Sequence, residues 1–190
     1  MNTFKPVVLL DVDGVIANLL KSLLYEINKQ TNLHLTEDDV TDWDIFECLN
    51  DTNYDIKSIC LNCFAQPGFA YNLEPYEYAI ESIAALQKIA NVYILTMPFD
   101  SPTWVADRTR WLKEHFNMSP DKIIYAHDKC MINGDIFIDD RPYFVESWKK
   151  THPNGLALLW DQPYNKLCET TSRIDSWPSL LEVVKRLHIF

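Results

Sequence analysis

Five short apolar runs, each followed by polar residues, constrain this chain more than any other feature. They are Val7–Leu10, Val92–Leu95, Ile123–Tyr125, Ile136–Ile138 and Leu156–Leu159. Apolar runs this short, without alternation, suit strands buried on both faces. Between them lie longer stretches with helical spacing. Leu20, Leu23, Leu24 and Ile27 share one stripe of a helix expected over Ile16–Gln30, and Ile80, Ile83, Ala84 and Gln87 one side of another from Pro75 to Ala90. Further helices are expected around Ile56–Phe64, from the Ser101-Pro102 cap to Phe116, over Tyr143–Lys150 and over Leu180–Leu187. Thr36 and Asp39 form a capping arrangement, and Pro67-Gly68 a turn. Strands alternating with helices predict an α/β fold, a Rossmann-like parallel sheet with helices on both faces. The stretch 18–73 breaks the rhythm, being all helix and loop. It is expected to form a small helical cap inserted after the first strand, with 1–17 and 74–190 forming the core domain.

Composition narrows the function. A net charge of −10 over 190 residues argues against a protein that tracks DNA or RNA, because such binding rests on Lys and Arg neutralising phosphates. It leaves room for a small phosphorylated ligand held by one metal ion and one or two cationic side chains. The 13% aromatic content, with six Trp, supplies flat apolar surface for a core or a pocket. No apolar run approaches the ~20 residues of a membrane span, and the N-terminal residues lead straight into a strand-like stretch with no charged and apolar leader. Five Cys in no regular framework fit a reduced setting, so a cytoplasmic chain is expected.

In open α/β sheets ligands sit at the carboxyl ends of the strands, so the residues following each run matter most. The first run ends in Asp11-Val12-Asp13-Gly14, which would place both carboxylates on the same side of an extended chain. Two acids this close repel and are normally held by a cation; Gly14 lets the backbone turn sharply. A plain turn is the competing reading. A calcium loop needs more oxygen ligands than Val15, Ile16 and Ala17 supply. The second run ends in Thr96, whose hydroxyl can meet a phosphate oxygen, as can the next backbone N–H, that of Met97. Lys129 precedes the fourth run, and that run ends in Asp139-Asp140-Arg141-Pro142. Set beside Asp11, this acidic pair would complete an oxygen site suited to Mg²⁺.

In order and placement these sets resemble the four motifs of the haloacid-dehalogenase-like phosphatase superfamily: Asp11/Asp13, Thr96, Lys129 and Asp139/Asp140. More narrowly, the chain resembles the 5'(3')-deoxyribonucleotidase family over nearly its whole length. The likeness is carried by Asp11–Ala17, Leu73-Glu74-Pro75, Ile94–Pro98, Trp111 with Phe116, Asp128-Lys129, Phe137–Pro142 and Ser176-Trp177. Met97 departs from the small hydroxyl residue that some members carry, which removes a side-chain hydrogen bond and bears on substrate preference.

The resemblance implies a phosphatase. Asp11 would be the nucleophile, forming a phosphoryl-aspartate, and Asp13 the general acid and then base. Mg²⁺ would be held by Asp11, the backbone carbonyl of Asp13, and Asp140, with Asp139 direct or through water. Gly14, Thr96, Met97 and Lys129 would cradle the phosphate, and Leu19, Trp43, Phe46, Phe69 and Tyr71 are candidates to receive the base and deoxyribose. The implied partner is a small nucleotide, with no nucleic-acid polymer and no membrane, and the chain could pair as a homodimer. Arg108 could reach the phosphate end. His127, Tyr164 and the Trp160–Pro163 stretch could border the cleft. Cys60 and Cys63 lie in a helical pattern without a second ligand pair, which favours packing over zinc. Two other functions stay open: a phosphatase for another small ester, such as a sugar phosphate, and a non-catalytic nucleotide-binding protein. The complete acidic set argues against the second.

Overall fold

The computed structural model describes residues 5–169 and 172–188. Six strands form one wholly parallel sheet: β1 (Val7–Leu10), β2 (Asn91–Thr96), β3 (Ile123–Tyr125), β4 (Ile136–Asp139), β5 (Leu156–Trp160) and β6 (Arg173–Ile174). The spatial order is β3-β2-β1-β4-β5-β6. The chain starts in the middle, winds outward through β2 and β3, and returns to lay β4 on the other side of β1. The crevice at that reversal lies between the carboxyl ends of β1 and β4, where a doubly wound sheet takes its ligand.

Among the described residues seven α-helices accompany the strands: α1 (Leu19–Thr31), α2 (Ile45–Cys48), α3 (Ile56–Ala65), α4 (Ala79–Ile89), α5 (Trp104–Phe116), α6 (Pro142–Thr151) and α7 (Trp177–His188). Alternate strand residues serve the two faces of the sheet. Val8, Leu10, Ile94, Ile136 and Ile138 pack with Ile83 and Leu86 of α4, Trp111 of α5 and Leu180 of α7. Leu9, Leu95, Phe137 and Leu159 point the other way, onto Phe144, Val145 and Trp148 of α6. No helix among the described residues is long and apolar enough to cross a membrane.

Residues 18–73 hold helices and turns only, with a core of their own. Leu23, Ile27, Ile56, Cys60, Cys63 and Phe64 cluster there and meet Trp104. Burial pushes the Cys60 thiol up to about 12, which suits a packing residue. The two connections to this segment run side by side. Ala17 bridges antiparallel to Pro75, Asn18 N–H donates to Glu74 O at 2.9 Å, and Tyr76 N–H donates to Ile16 O at 3.0 Å.

This pairing explains two departures from the sequence reading. Helix α1 starts at Leu19 because Asn18, whose side chain accepts from Lys21 N–H, is its cap, while Val15–Ala17 are tied back to Val12 and Gly14. Helix α4 starts at Ala79, not Pro75, because Pro75 and Tyr76 belong to the paired connection and Tyr78 takes a left-handed φ of 63°. Helix α5 likewise starts at Trp104, two residues beyond Pro102. The short α2 and the two-residue β6 carry too little pattern to be read from sequence; the Thr36–Asp39 capping box is present.

Trp111 pins the returning connection. It is fully buried, and its Nε1–H donates to Leu73 O at 2.7 Å. Trp111→Phe keeps most of the packing but leaves this buried carbonyl without its donor. Urea unfolding should show a loss of about 1–3 kcal/mol; an unchanged midpoint would mean the bond adds nothing to the fold.

Candidate active site

The carboxyl ends of β2, β1 and β4 bring the acidic and hydroxyl residues together. Asp11 follows β1 and donates its backbone N–H to Ile138 O at 2.9 Å, which locks the ends of β1 and β4 in register. Thr96 ends β2, Asp139 ends β4, and Asp140 comes next; all are buried. Oxygen atoms of Asp11, Asp139 and Asp140 lie within 4.8 Å of one another.

Lys129 sits in a 3-10 turn that Asp128 caps by accepting from Cys130 N–H. Its ammonium donates to Asp139 Oδ2 at 2.6 Å. It also lies 2.8 Å from Asp11 Oδ1, off the line that a hydrogen bond needs, so that contact is an ion pair. Burial would pull the Lys129 pKa down, but Asp11 and Asp139 overcome it and push it up, so the side chain stays charged. Arg141 N–H donates to Asp139 Oδ1 at 2.9 Å, which fixes the other oxygen of that acid.

Asp140 is held from the far side. The Tyr164 hydroxyl donates to Asp140 Oδ2 at 2.5 Å, and Asn165 Nδ2 donates to Asp140 O at 2.8 Å. Gly14 has a φ of 76° and passes so close that a Cβ there would overlap Asp140 Oδ2 and the Tyr164 hydroxyl. Gln162 completes this wall by donating to Gly14 O at 2.6 Å.

Asp13 stands apart from the three clustered acids. Its Oδ1 accepts from Nη2 of Arg108, a fully buried residue of α5, at 2.6 Å. Burial pushes Asp13 up to about 6, against the pull of Arg108 and with the repulsion of Asp11. Burial also raises Asp139, despite Lys129, and raises Asp140, with help from Asp139 and Asp11. Among the described residues, four carboxylates therefore meet two cations, Lys129 and Arg108. The charge deficit and the hard oxygen donors of Asp11, Asp139 and Asp140 fit a divalent ion such as Mg²⁺.

Above this charged floor the cavity is apolar. Asp11, Asp13, Gly14, Thr96, Met97, Lys129, Asp139 and Asp140 form the floor, and Leu19, Trp43 and Phe46 stand in the wall, as the sequence suggested. Phe69 and Tyr71 do not line it. Phe69 packs against Phe64 and Trp104, and Tyr71 turns outward to donate to Glu114 while Arg110 lies over its ring. Their places are taken by Phe64, Phe99 and Phe144, which the sequence reading did not single out. Phe64 and Phe99 stack with ring centroids 3.9 Å apart. No local pattern marks these rings; they converge only once the helices of 18–73 close over the sheet. At the mouth, Arg141 lies over the Trp43 ring, 3.8 Å from its centroid. Tyr164 does border the cavity, whereas His127 is exposed and does not line it. Arg108 reaches Asp13 from behind and is absent from the cavity wall.

Comparison with known proteins identifies the setting. The sequence model of the family described as 5' nucleotidase, deoxy (pyrimidine), cytosolic type C protein matches residues 5–188. The chain belongs to this family. It is a family of phosphoric monoester hydrolases. The chain is 28% identical over 177 residues to a 5'(3')-deoxyribonucleotidase of Bacillus subtilis, covering 93% of this chain and 96% of that one. It is also 28% identical over 178 residues to one of Clostridium acetobutylicum, covering 91% of each. In fold it is similar to the crystal structure of a haloacid dehalogenase-like hydrolase from Burkholderia xenovorans, with a TM-score of 0.63 at 12% identity over 98% of this chain and 99% of that one. A second similar fold is a magnesium-bound HAD-hydrolase of Bacillus subtilis, with a TM-score of 0.57 at 14% identity over 95% and 98%.

The raised carboxylates make stability depend on pH with a definite sign. Asp13, Asp139 and Asp140 hold protons more tightly folded than unfolded, where they titrate near 3.8. Their contribution is fully present below about 3.8 and is lost as pH rises from there through the folded values, about 6 for Asp13 and higher for Asp139 and Asp140, unless a cation replaces the protons. Without metal, the melting temperature should be higher at about pH 6 than at about pH 8, and Mg²⁺ should raise it more at the higher pH. Equal Mg²⁺ effects at both would show that these acids do not bind the ion. Gly14→Ala forces a side chain onto Asp140 and should sharply weaken Mg²⁺ binding; calorimetry showing unchanged affinity would contradict that packing.

Proposed function

We propose that this chain hydrolyses deoxyribonucleoside monophosphates with the aid of Mg²⁺, through a phosphoryl group carried on Asp11. The carrying observation is the division of the cavity into a floor of converging acids with one buried Lys and an apolar, aromatic wall. A phosphate matches the first once a divalent ion is present, and a base with its deoxyribose matches the second. The residues 18–73 act, in this reading, as a cap over the sheet's crevice.

Mg²⁺ would be held by Asp11, Asp139 and Asp140 and by the backbone carbonyl of Asp13, and when bound it offsets the repulsion between carboxylate and phosphate. Lys129 lies 2.8 Å from Asp11 Oδ1 and orients that carboxylate. An Asp11 oxygen bonds to phosphorus as the bond from phosphorus to the sugar oxygen breaks, and Asp13 gives its proton to that leaving oxygen. With a pKa of about 6, Asp13 can hold the proton and later return to the base form. It then takes a proton from the water that attacks phosphorus, the bond to Asp11 breaks, and free phosphate results. Thr96, the Met97 N–H and Lys129 orient the remaining phosphate oxygens.

Trp43, Phe46, Phe64 and Phe99 offer rings against which the base can pack. An apolar wall with no partner for a ribose 2'-hydroxyl would disfavour ribonucleotides by roughly 1–3 kcal/mol. Among the described residues all five cysteines are free, which suits a reduced, cytoplasmic setting.

Asp11→Asn should abolish turnover while leaving the melting temperature within a few degrees of the parent; near-normal rates would remove Asp11 as the nucleophile. Initial rates should favour dUMP and dTMP over UMP and over sugar phosphates. Faster turnover of a sugar phosphate would replace the nucleotide reading with that of a phosphatase for another small ester.

A further inference from the structure

Arg108 has no place in the four motifs, yet it is among the most deeply buried large side chains in the molecule. It comes from the second turn of α5, and its guanidinium lies between two indoles, with Cζ 5.2 Å from the ring centroids of both Trp104 and Trp111. Among the described residues one of its nitrogens finds a partner: Nη2 donates to Asp13 Oδ1, whereas Nε and Nη1 are buried without an acceptor there. A buried ion pair with unmatched donors is a poor source of stability, because apolar residues of similar volume commonly do as well or better. The arrangement therefore needs a reason other than holding the fold.

Geometry supplies one. Arg108 does not line the cavity, so it does not meet a bound phosphate. Asp13 does line it, with its side chain 15% exposed. Among the described residues Arg108 makes the only side-chain hydrogen bond to that carboxylate. With Oδ1 tied back to α5, Oδ2 is the oxygen left to face a ligand. The same tie keeps a fourth acid out of the group formed by Asp11, Asp139 and Asp140, which an untethered carboxylate two residues from Asp11 would be free to join around a shared cation. The two tryptophans pack against the guanidinium and hold it on the α5 side of Asp13.

We propose that Arg108 is a positioning residue that fixes the Asp13 carboxylate toward the leaving oxygen and away from the metal-binding acids. This rests on the reading of Asp13 as proton donor given above, and it makes a claim that a purely structural role does not. A proton donor matters for an ester whose leaving oxygen is strongly basic, such as a deoxyribose 5'-oxygen, and matters little for p-nitrophenyl phosphate, whose leaving group departs as a stable anion.

The experiment compares the parent, Arg108→Met and Arg108→Lys on dUMP and on p-nitrophenyl phosphate, with Mg²⁺ present and folding checked by thermal unfolding. In Arg108→Met, the single-turnover rate of leaving-group release from dUMP should fall about 100-fold or more, the range lost with a general acid, while the same release rate from p-nitrophenyl phosphate falls less than about 5-fold. The ester concentration giving half the maximal release rate should stay nearly constant for both, and the later hydrolysis of the shared phosphoryl-Asp11 does not enter this comparison. Arg108→Lys should recover much of the dUMP rate, and Arg108→Met should add little to the loss already caused by Asp13→Asn. An equal fall in the release rate of both esters, or weaker half-saturation with the release rate kept, would overturn the proposal in favour of a structural or phosphate-binding role. If Arg108→Met does not fold, Arg108→Lys and the Asp13→Asn background carry the same comparison: unequal loss on the two esters supports the proposal and equal loss sinks it. Should the parent fail on dUMP but hydrolyse another alkyl phosphate, the substrate reading falls, and the same ratio measured with that ester still decides the role of Arg108.

Discussion

The pairing of Lys129 with Asp11 and Asp139 is the contact on which the site depends. Asp11, Asp139 and Asp140 converge where two neighbouring parallel strands end, and such a cluster would push itself apart without an internal cation. The ammonium spans β1 and β4 by touching one acid from each. It is itself buried, so it stays charged only because the acids are there, and each side of the contact makes the other tenable. Everything around it maintains that balance: Arg141 N–H on the second oxygen of Asp139, Tyr164 on Asp140, and Gly14 leaving space beside both.

Topology explains why these residues meet. Asp11 and Asp139 are 128 positions apart, yet β1 and β4 are hydrogen-bonded neighbours, because the chain reverses its direction of winding between β3 and β4. The apolar runs made the strands legible in sequence, and the polar residue closing each run marked the working end of the sheet. The floor of the cavity was readable for that reason: local chemistry and strand order suffice to place it. The similar fold agrees with the reading of the strands as a parallel α/β sheet.

The wall was only partly readable. Leu19, Trp43 and Phe46 were found because they follow the first strand or lie in the inserted stretch, but the same reasoning chose Phe69 and Tyr71, which face elsewhere. Phe64, Phe99 and Phe144 come from three separate elements and share a cavity only through tertiary packing. Helix starts failed for a related reason. Pro75 and Ser101-Pro102 carry good starting signals, but Pro75 is used to pair with Ala17, and α5 begins only after the chain has turned past Pro102. A local cap signal names a candidate start, and the surrounding contacts choose among candidates.

The paired connections at Ala17 and Pro75 have a consequence for how such a molecule can diversify. The two ends of the excursion 18–73 are already fastened together by backbone hydrogen bonds at the rim of the sheet. A chain segment closed at its base feels added length only logarithmically, about 0.6 kcal/mol per doubling. Insertions and deletions within the excursion are thus thermodynamically cheap, whereas one added methyl at Gly14 collides with Asp140. The acid cluster beside Gly14 is frozen by sterics, while the length of the excursion that lines the cavity above it is not.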